Sequence, residues 1–235
     1  MHQWFLPKGL VQRIIIILNL KIKNSHINKS PHYLMFKIFL TIYSGLEHAF
    51  EADHLLAVNT LVSHRENLKQ SMKDGIYWGI GHTTTIFFIG ILMIGFKFNI
   101  GEEVFKNFEA GVGVMLIILG LYRVFKLYFP KEHTHTHNTS KAAFGVGLIH
   151  GLAGSGALVV LVISQMKTPL EGLLYILIFG LGSIFGMFLA AYLFSIPYTK
   201  SLLKSKKLQA SLVIISSILC IVYGGKVVVE NLGLI

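Results

Sequence analysis

The sequence predicts an all-α, polytopic membrane protein of about six transmembrane helices arranged as two inverted three-helix repeats. Three observations carry that expectation. Of 235 residues, 53% are hydrophobic and only 14% charged, against about 25% charged in ordinary soluble domains. The apolar residues gather into runs of about 20, the length that crosses a hydrocarbon core about 30 Å thick. Two halves of the chain also match each other at a spacing near 100 residues. This composition excludes a soluble enzyme, a disordered chain and a disulfide-stapled secreted domain. The single cysteine, Cys220, has no intrachain partner for a disulfide.

Residues 1–32 are expected to form a basic interfacial segment. The apolar run Ile14 to Leu18 is short and is flanked by Lys8, Arg13, Lys21 and Lys23, a pattern that lies on a membrane surface better than it crosses one. No small-residue cleavage site follows it, as a signal peptide would require. Six spans are then expected near 33–62, 75–96, 105–128, 142–165, 170–195 and 208–229. The first is too long for one straight crossing: thirty residues at about 1.5 Å each reach roughly 45 Å. It must tilt steeply, project from the bilayer, or break at its polar centre.

The formal charge of +10 would suit nucleic acid if the basic residues formed a patch. Here Lys and Arg occupy short loops, where they set orientation and meet anionic lipid, so no nucleic-acid partner is expected. Loops one, three and five carry Arg65, Lys69 and Lys73; Lys131 and Lys141; and Lys200, Lys204, Lys206 and Lys207. The positive-inside rule puts these loops in the cytoplasm of a multi-pass cell-membrane protein. The five basic residues of the first 30 argue the other way for the N-terminus.

The repeat divides the chain into halves 33–128 and 142–235, joined by a histidine-containing loop over 129–141. Gly45-Leu46-Glu47-His48-Ala49 lines up with Gly147-Leu148-Ile149-His150-Gly151, and Gly79-Ile80-Gly81-His82 with Gly180-Leu181-Gly182-Ser183. Ala110 and Leu119 fall opposite Ala210 and Leu219. Three crossings per half turn the second copy upside down, the plan of many secondary transporters, which hold substrate where the halves meet.

Eleven His against eleven Asp plus Glu is a high ratio for so apolar a chain. The densest cluster is His48, Glu51, Asp53 and His54, preceded by Glu47. Ionisable groups inside a span cost about 3 kcal/mol each on insertion scales, so a cluster marks function by default. Imidazole with carboxylate makes a divalent transition-metal site, suited to nickel, cobalt, copper or zinc. On a regular helix, His48 lies about 140° from Asp53 and about 120° from His54. Either the helix unwinds between Ala49 and Asp53, or neighbouring helices supply further ligands. His82, beside Gly81 and Thr83, is one such candidate. His150 occupies the position equivalent to His48, while only Ser155 and Gly156 stand opposite Asp53 and His54, so the site is expected to be weighted to the first half. Glu47 and Glu51 are assigned charge compensation or proton exchange. The competing reading makes these histidines hydrogen-bonding glue between helices.

His48-Ala49-Phe50-Glu51-Ala52-Asp53-His54 resembles the signature of the nickel/cobalt transporter family of membrane permeases, a His, four residues, then Asp-His, commonly HAxDADH. Glu51 stands at the usual acidic position and Glu47 where arginine is common. Gly81-His82-Thr83 is similar to the glycine-histidine-hydroxyl element of the family's next helix. The run Gly147 to Leu158 is similar to HGLAGSAAL of the urease-accessory, UreH-type branch. The larger permeases have eight helices and an acidic, Thr-rich motif in their second half, which this sequence lacks. The resemblance implies a Ni²⁺ or Co²⁺ permease, with Zn²⁺ a further candidate ion, no prosthetic group, and His48, Asp53, His54 and His82 handling the metal. It also points to nickel-enzyme maturation proteins as partners. The alternatives from other classes are an intramembrane metalloenzyme, for which no HExxH helix is present, and an accessory metal-binding subunit.

His133, His135 and His137 alternate in the third loop, where an extended chain would put them on one face able to chelate a metal. If they only buffer metal, replacing all three by Ala lowers the bound-metal stoichiometry and leaves transport intact. Metal analysis and flux on one preparation check this; complete loss of flux would place the loop in the essential path.

Overall fold

A computed structural model describes residues 31–63, 65, 67–129, 139–166, 168–198 and 206–233. The basic segment before residue 31 and the three loop histidines lie outside these residues. The described residues form seven α-helices and no strand: α1 Pro31–His48, α2 Ala52–Val62, α3 Leu68–Gly90, α4 Glu102–Tyr128, α5 Thr139–Gln165, α6 Pro169–Ser195 and α7 Lys206–Leu232. A π-helical turn, Ile91–Gly95, prolongs α3, and a 3₁₀ turn, Ile196–Tyr198, follows α6. Four stretches are long and apolar enough to cross a membrane: Leu68–Gly95, Glu102–Tyr128, Pro169–Tyr198 and Lys207–Leu232. Their outer faces are apolar, as with Ile118, Leu121 and Phe125 on α4, Leu174, Leu181 and Phe185 on α6, and Ile215, Leu219 and Val222 on α7. Such faces fit lipid, which makes no demand for polar groups.

The termini follow local chemistry. Asn67 starts α3 by accepting from the Lys69 amide at 2.9 Å, and Thr168 starts α6 by accepting from the Glu171 amide at 3.2 Å, with Pro169 in the first turn. Helix α4 opens with Glu102 and Glu103 and carries Lys126 in its last turn, matching charge to the helix dipole. The second expected span begins earlier than its hydropathy indicates, at Leu68 rather than near 75. Asp74 therefore sits inside α3, 4% exposed. Its carboxylate is neutralised by Arg65, whose Nε donates at 2.7 Å, and accepts from Ser140 Oγ at 3.2 Å. Hydropathy marked the pair as loop because it scores each charge as if it were unpaired.

The first span breaks. Helix α1 stops at His48 and α2 restarts at Ala52, with Glu51 extended (φ −66°, ψ 154°) between them. The turn keeps its backbone bonded: Phe50 N donates to Glu47 O at 2.9 Å and Glu51 N to His48 O at 3.1 Å. At the far end of α2, Arg123 of α4 donates to the carbonyls of Asn59 and Thr60 at 3.3 and 2.7 Å, closing the helix with a buried cation where the dipole is negative. Tyr198 OH donates to Asn59 Oδ1 at 2.9 Å, and its ring lies 5.6 Å from the Arg123 guanidinium.

Close backbone approaches fix how the helices pack. A Cβ on Gly147 would collide with the Trp78 carbonyl and meet His82 N at 3.0 Å, and one on Gly81 would collide with the Phe144 carbonyl. Between α1 and α6, a Cβ on Gly45 would collide with the Phe179 carbonyl and meet Ser183 N at 2.9 Å, and one on Gly182 with the Ile42 carbonyl. The residue order makes both pairs, α3 with α5 and α1 with α6, parallel. Gly79 against Ile184 and Gly180 against Thr83 make α3 and α6 antiparallel, and Gly113 against Gly224 does the same for α4 and α7. Small residues are what allow helices to associate this tightly in lipid.

Gly147→Leu should force α5 away from α3, costing about 1–3 kcal/mol of overpacking and on the order of 2–10 °C in Tm. A Cβ on Gly145 meets nothing within 4 Å, so Gly145→Ala should melt no lower than the native protein. Thermal unfolding in detergent compares the two.

Candidate metal centre

The break at 49–51 does what an unbroken helix cannot. It lets His48, at the end of α1, and His54, in the first turn and a half of α2, turn towards each other with ring centroids 4.6 Å apart. His82 reaches the same point from the middle of α3, its ring 5.2 Å from His48 and 5.1 Å from His54. His48 Nε2 and His82 Nε2 are 3.2 Å apart. His150 approaches from α5, with its ring 4.6 Å from His54. The exposures of His54, His82 and His150 are 1%, 0% and 1%.

Two donor sets result. His48, His54 and His82 place one donor atom each within 4.8 Å of the others, and so do Asp53, His54 and His150. Carboxylates stand behind the rings. His48 Nδ1 lies 3.2 Å from Glu51 Oε1 and His54 Nδ1 lies 3.1 Å from Asp53 Oδ1. This is the arrangement in which a carboxylate holds one imidazole nitrogen and leaves the other to a metal. His54 Nε2, His82 Nδ1 and both nitrogens of His150 are buried without a hydrogen bond. Buried polar atoms are normally paired, so this concentration of unpaired imidazole nitrogen favours ligand duty over helix glue.

Of the sequence-predicted site residues, His48, Asp53, His54, His82 and His150 fall in the two sets, and Glu51 pairs with His48. Glu51 acts through His48, and Glu47 belongs to neither set. His150 touches Asp53 and His54 rather than His48. Sequence reasoning missed three residues that wall the site. The Trp78 ring lies 5.6 Å from the rings of both His54 and His150, and the Phe179 ring lies 5.4 Å from His48. Gly154 has its Cα so near that a Cβ would meet His48 Nε2 at 3.3 Å and His82 Cε1 at 3.6 Å. Helical spacing held the signal: Trp78 is one turn before His82, and Gly154 one turn after His150. Phe179 is the repeat's counterpart of Trp78.

The fold and this centre define a class: a helical membrane protein with an imidazole-rich donor set at the join of its helices. Comparison with known sequences sharpens it. A family model described as a high-affinity nickel-transport protein (NicO) matches residues 34–127. Urease accessory protein UreH of Bacillus sp. (strain TB-90) is 38% identical over 172 residues, covering 67% of this chain and 75% of that one. A Methanocaldococcus jannaschii protein named for nickel/cobalt efflux is 32% identical over 145 residues, 59% of this chain and 66% of its own. Nickel transporter NixA of Staphylococcus aureus is 34% identical over 67 residues, 26% of this chain and 19% of its own. No solved structure matches. The chain belongs to the high-affinity nickel-transport protein family. That family is one of transporters rather than enzymes, so the metal is cargo and no prosthetic group is implied.

His54 is the residue common to both donor sets. His54→Ala keeps a helix-tolerated residue and should weaken Ni²⁺ binding at least about tenfold, since even outer-shell changes cost that much. Titration with Ni²⁺ alongside thermal unfolding checks it. A destabilised variant with native nickel affinity would restore the reading of histidines as glue.

Proposed function

We propose that the chain is a cell-membrane permease that carries Ni²⁺ or Co²⁺ through the centre formed by His48, His54, His82, Asp53 and His150. The observation that carries this is the convergence of three buried imidazoles from α1, α2 and α3 on one point. An ion arriving hydrated exchanges water for imidazole there, and Asp53 and Glu51 offset its charge. Neutral imidazole is the binding form, so the ion competes with protons for the centre and binding weakens in acid.

In this reading α1 with α2 makes the first of six crossings, and the halves form inverted repeats that rock about the centre. The contacts support it. Advancing each residue by the repeat spacing turns Gly45 on Phe179 and Ser183 into Gly147 on Trp78 and His82, with the partners exchanged between halves. The same operation turns Gly81 on Phe144 into Gly182 on Ile42, and Gly79 on Ile184 into Gly180 on Thr83. The pairs α1 and α6 on one side and α5 and α3 on the other thus swap, as a two-fold axis in the membrane plane requires. The name of the Bacillus relative supports a link to urease maturation, in which the carried ion supplies a nickel enzyme.

Purified protein in vesicles should admit Ni²⁺ in a saturable way with no second protein present. An imidazole-rich set favours Ni²⁺ and Co²⁺ over oxygen-seeking Mg²⁺, so millimolar Mg²⁺ should leave micromolar Ni²⁺ flux unchanged. Absence of flux from folded, vesicle-inserted protein would overturn the permease reading in favour of an accessory subunit.

A further inference from the structure

The five donors do not make one coordination sphere. Metal–imidazole bonds are about 2.1 Å long, so no two donors of one ion stand more than about 4.2 Å apart. Even with the looser limit of 4.8 Å, the donors separate into His48, His54, His82 and Asp53, His54, His150. His54 alone belongs to both. The aromatic walls separate in the same way: Phe179 lies against His48 of the first set, and Trp78 against His54 and His150 of the second. Antiparallel α3 and α6 pass each other between the contacts Gly79–Ile184 and Thr83–Gly180, and Trp78 and Phe179 each come one residue before the glycine of one of these contacts. They therefore stand on opposite sides of that crossing, and the two sets are displaced towards opposite faces of the bundle.

Resting on the reading of these histidines as donors to a carried ion, we propose that the centre is two overlapping subsites, and that one ion is handed across the crossing from one to the other through His54. In the first subsite the ion is held by three imidazoles. Asp53 then accepts from His54 Nδ1–H, which leaves His54 Nε2 as the donor. In the second subsite Asp53 and His150 become ligands: Asp53 Oδ1 lies 3.1 Å from His54 Nδ1, and Oδ2 lies 3.6 Å from His150 Nε2. The ion now sits on the Nδ1 side of His54, so the ring proton moves to Nε2 and the imidazole stays neutral. One bond set is exchanged for another, and one proton changes nitrogen within the same ring. Both nitrogens of His150 are buried without a hydrogen bond, as an unused ligand of the alternate subsite would be. A neutral His54 ring keeps one proton and so has one free lone pair, which serves one ion at a time.

Co²⁺, whose visible absorption reports its ligands, tests this with double substitutions. His150→Gln confines the ion to the first subsite, and His82→Gln weakens that subsite and leaves the second. Asp53→Asn keeps an acceptor for His54 Nδ1–H but loses the charged ligand. Added to His150→Gln, where Asp53 only holds His54, it should cost about tenfold in Co²⁺ affinity; added to His82→Gln, where Asp53 is itself a ligand, it should cost at least about tenfold more than that. The two Gln variants should bind Co²⁺ with different spectra, and each should lose at least about tenfold of vesicle flux. Thermal unfolding accompanies each variant, and His82→Asn and His150→Asn repeat either arm should a Gln variant not fold. Equal cost of Asp53→Asn in both backgrounds, or two Co²⁺ bound per native chain, would overturn the handover. No Co²⁺ binding by native protein would instead overturn the metal-site reading itself, and the handover with it.

Discussion

The approach of two backbones at Gly81 and Gly147 is the constraint on which the rest of the structure depends. Lipid supplies no hydrophobic force between helices, so association depends on packing and on polar contacts. Where neither helix tolerates a Cβ, the separation and rotation of α3 and α5 are fixed together. His82 follows Gly81 directly, and His150 follows Gly147 by three residues. Their imidazoles inherit positions that side-chain flexibility alone could not define. The counterpart contact of Gly45 and Gly182 fixes α1 against α6 and so places His48, three residues beyond Gly45. The residues that pack and the residues that carry donors are neighbours in sequence because one geometry serves both.

The second requirement is to interrupt a helix inside the bundle without orphaning its backbone. Irregular chain there survives only where protein buries it and its polar groups are paired. The turn at 49–51 meets both conditions. Ala49 is fully buried, and the amides of Phe50 and Glu51 bond back to the last turn of α1. Restarting at Ala52 puts Asp53 in the first turn of α2, where the helix dipole favours a carboxylate. Arg123 and Tyr198 then hold the opposite end of this short helix. A helix of eleven residues has little stability of its own, so its position depends on these clamps, and with it the position of His54.

The all-helical character and the cluster at 47–54 were legible in the sequence because they rest on hydropathy and on the cost of burying charge, both local properties. The break was legible as a conflict between segment length and bilayer thickness, and the angle between His48 and His54 on a regular helix said why it was needed. What the sequence did not expose was the pairing. Asp74 scored as loop because its partner Arg65 lies nine residues away across a turn, and hydropathy has no means of crediting an ion pair. Trp78, Phe179 and Gly154 were hidden for a different reason: an aromatic or a glycine in an apolar helix is ordinary until a neighbour is known. Likewise, nothing in the sequence tells Gly147, Gly151 and Gly154 apart. They divide into Gly147 and Gly151, which meet α3 backbone, and Gly154, which makes room for imidazoles.

In the proposed inverted-repeat arrangement, the unequal halves follow from what such a bundle needs at its centre. Repetition of the contact residues is required, since an exchange of partners works only if both copies pack alike. Repetition of the donors is not. A second Asp-His pair opposite Asp53 and His54 would bury another carboxylate and imidazole in lipid, at a cost of several kcal/mol, around an ion that needs only a few ligands. Ser155 and Gly156 stand there instead. Ser183 replaces the counterpart of His82, and its hydroxyl donates to the Gly45 carbonyl at 3.1 Å, turning a ligand position into a tie between α6 and α1. The second half therefore keeps the packing and contributes one imidazole, His150. That imidazole meets Asp53 and His54 across the axis, so the one donor retained sits where the first half's own set ends.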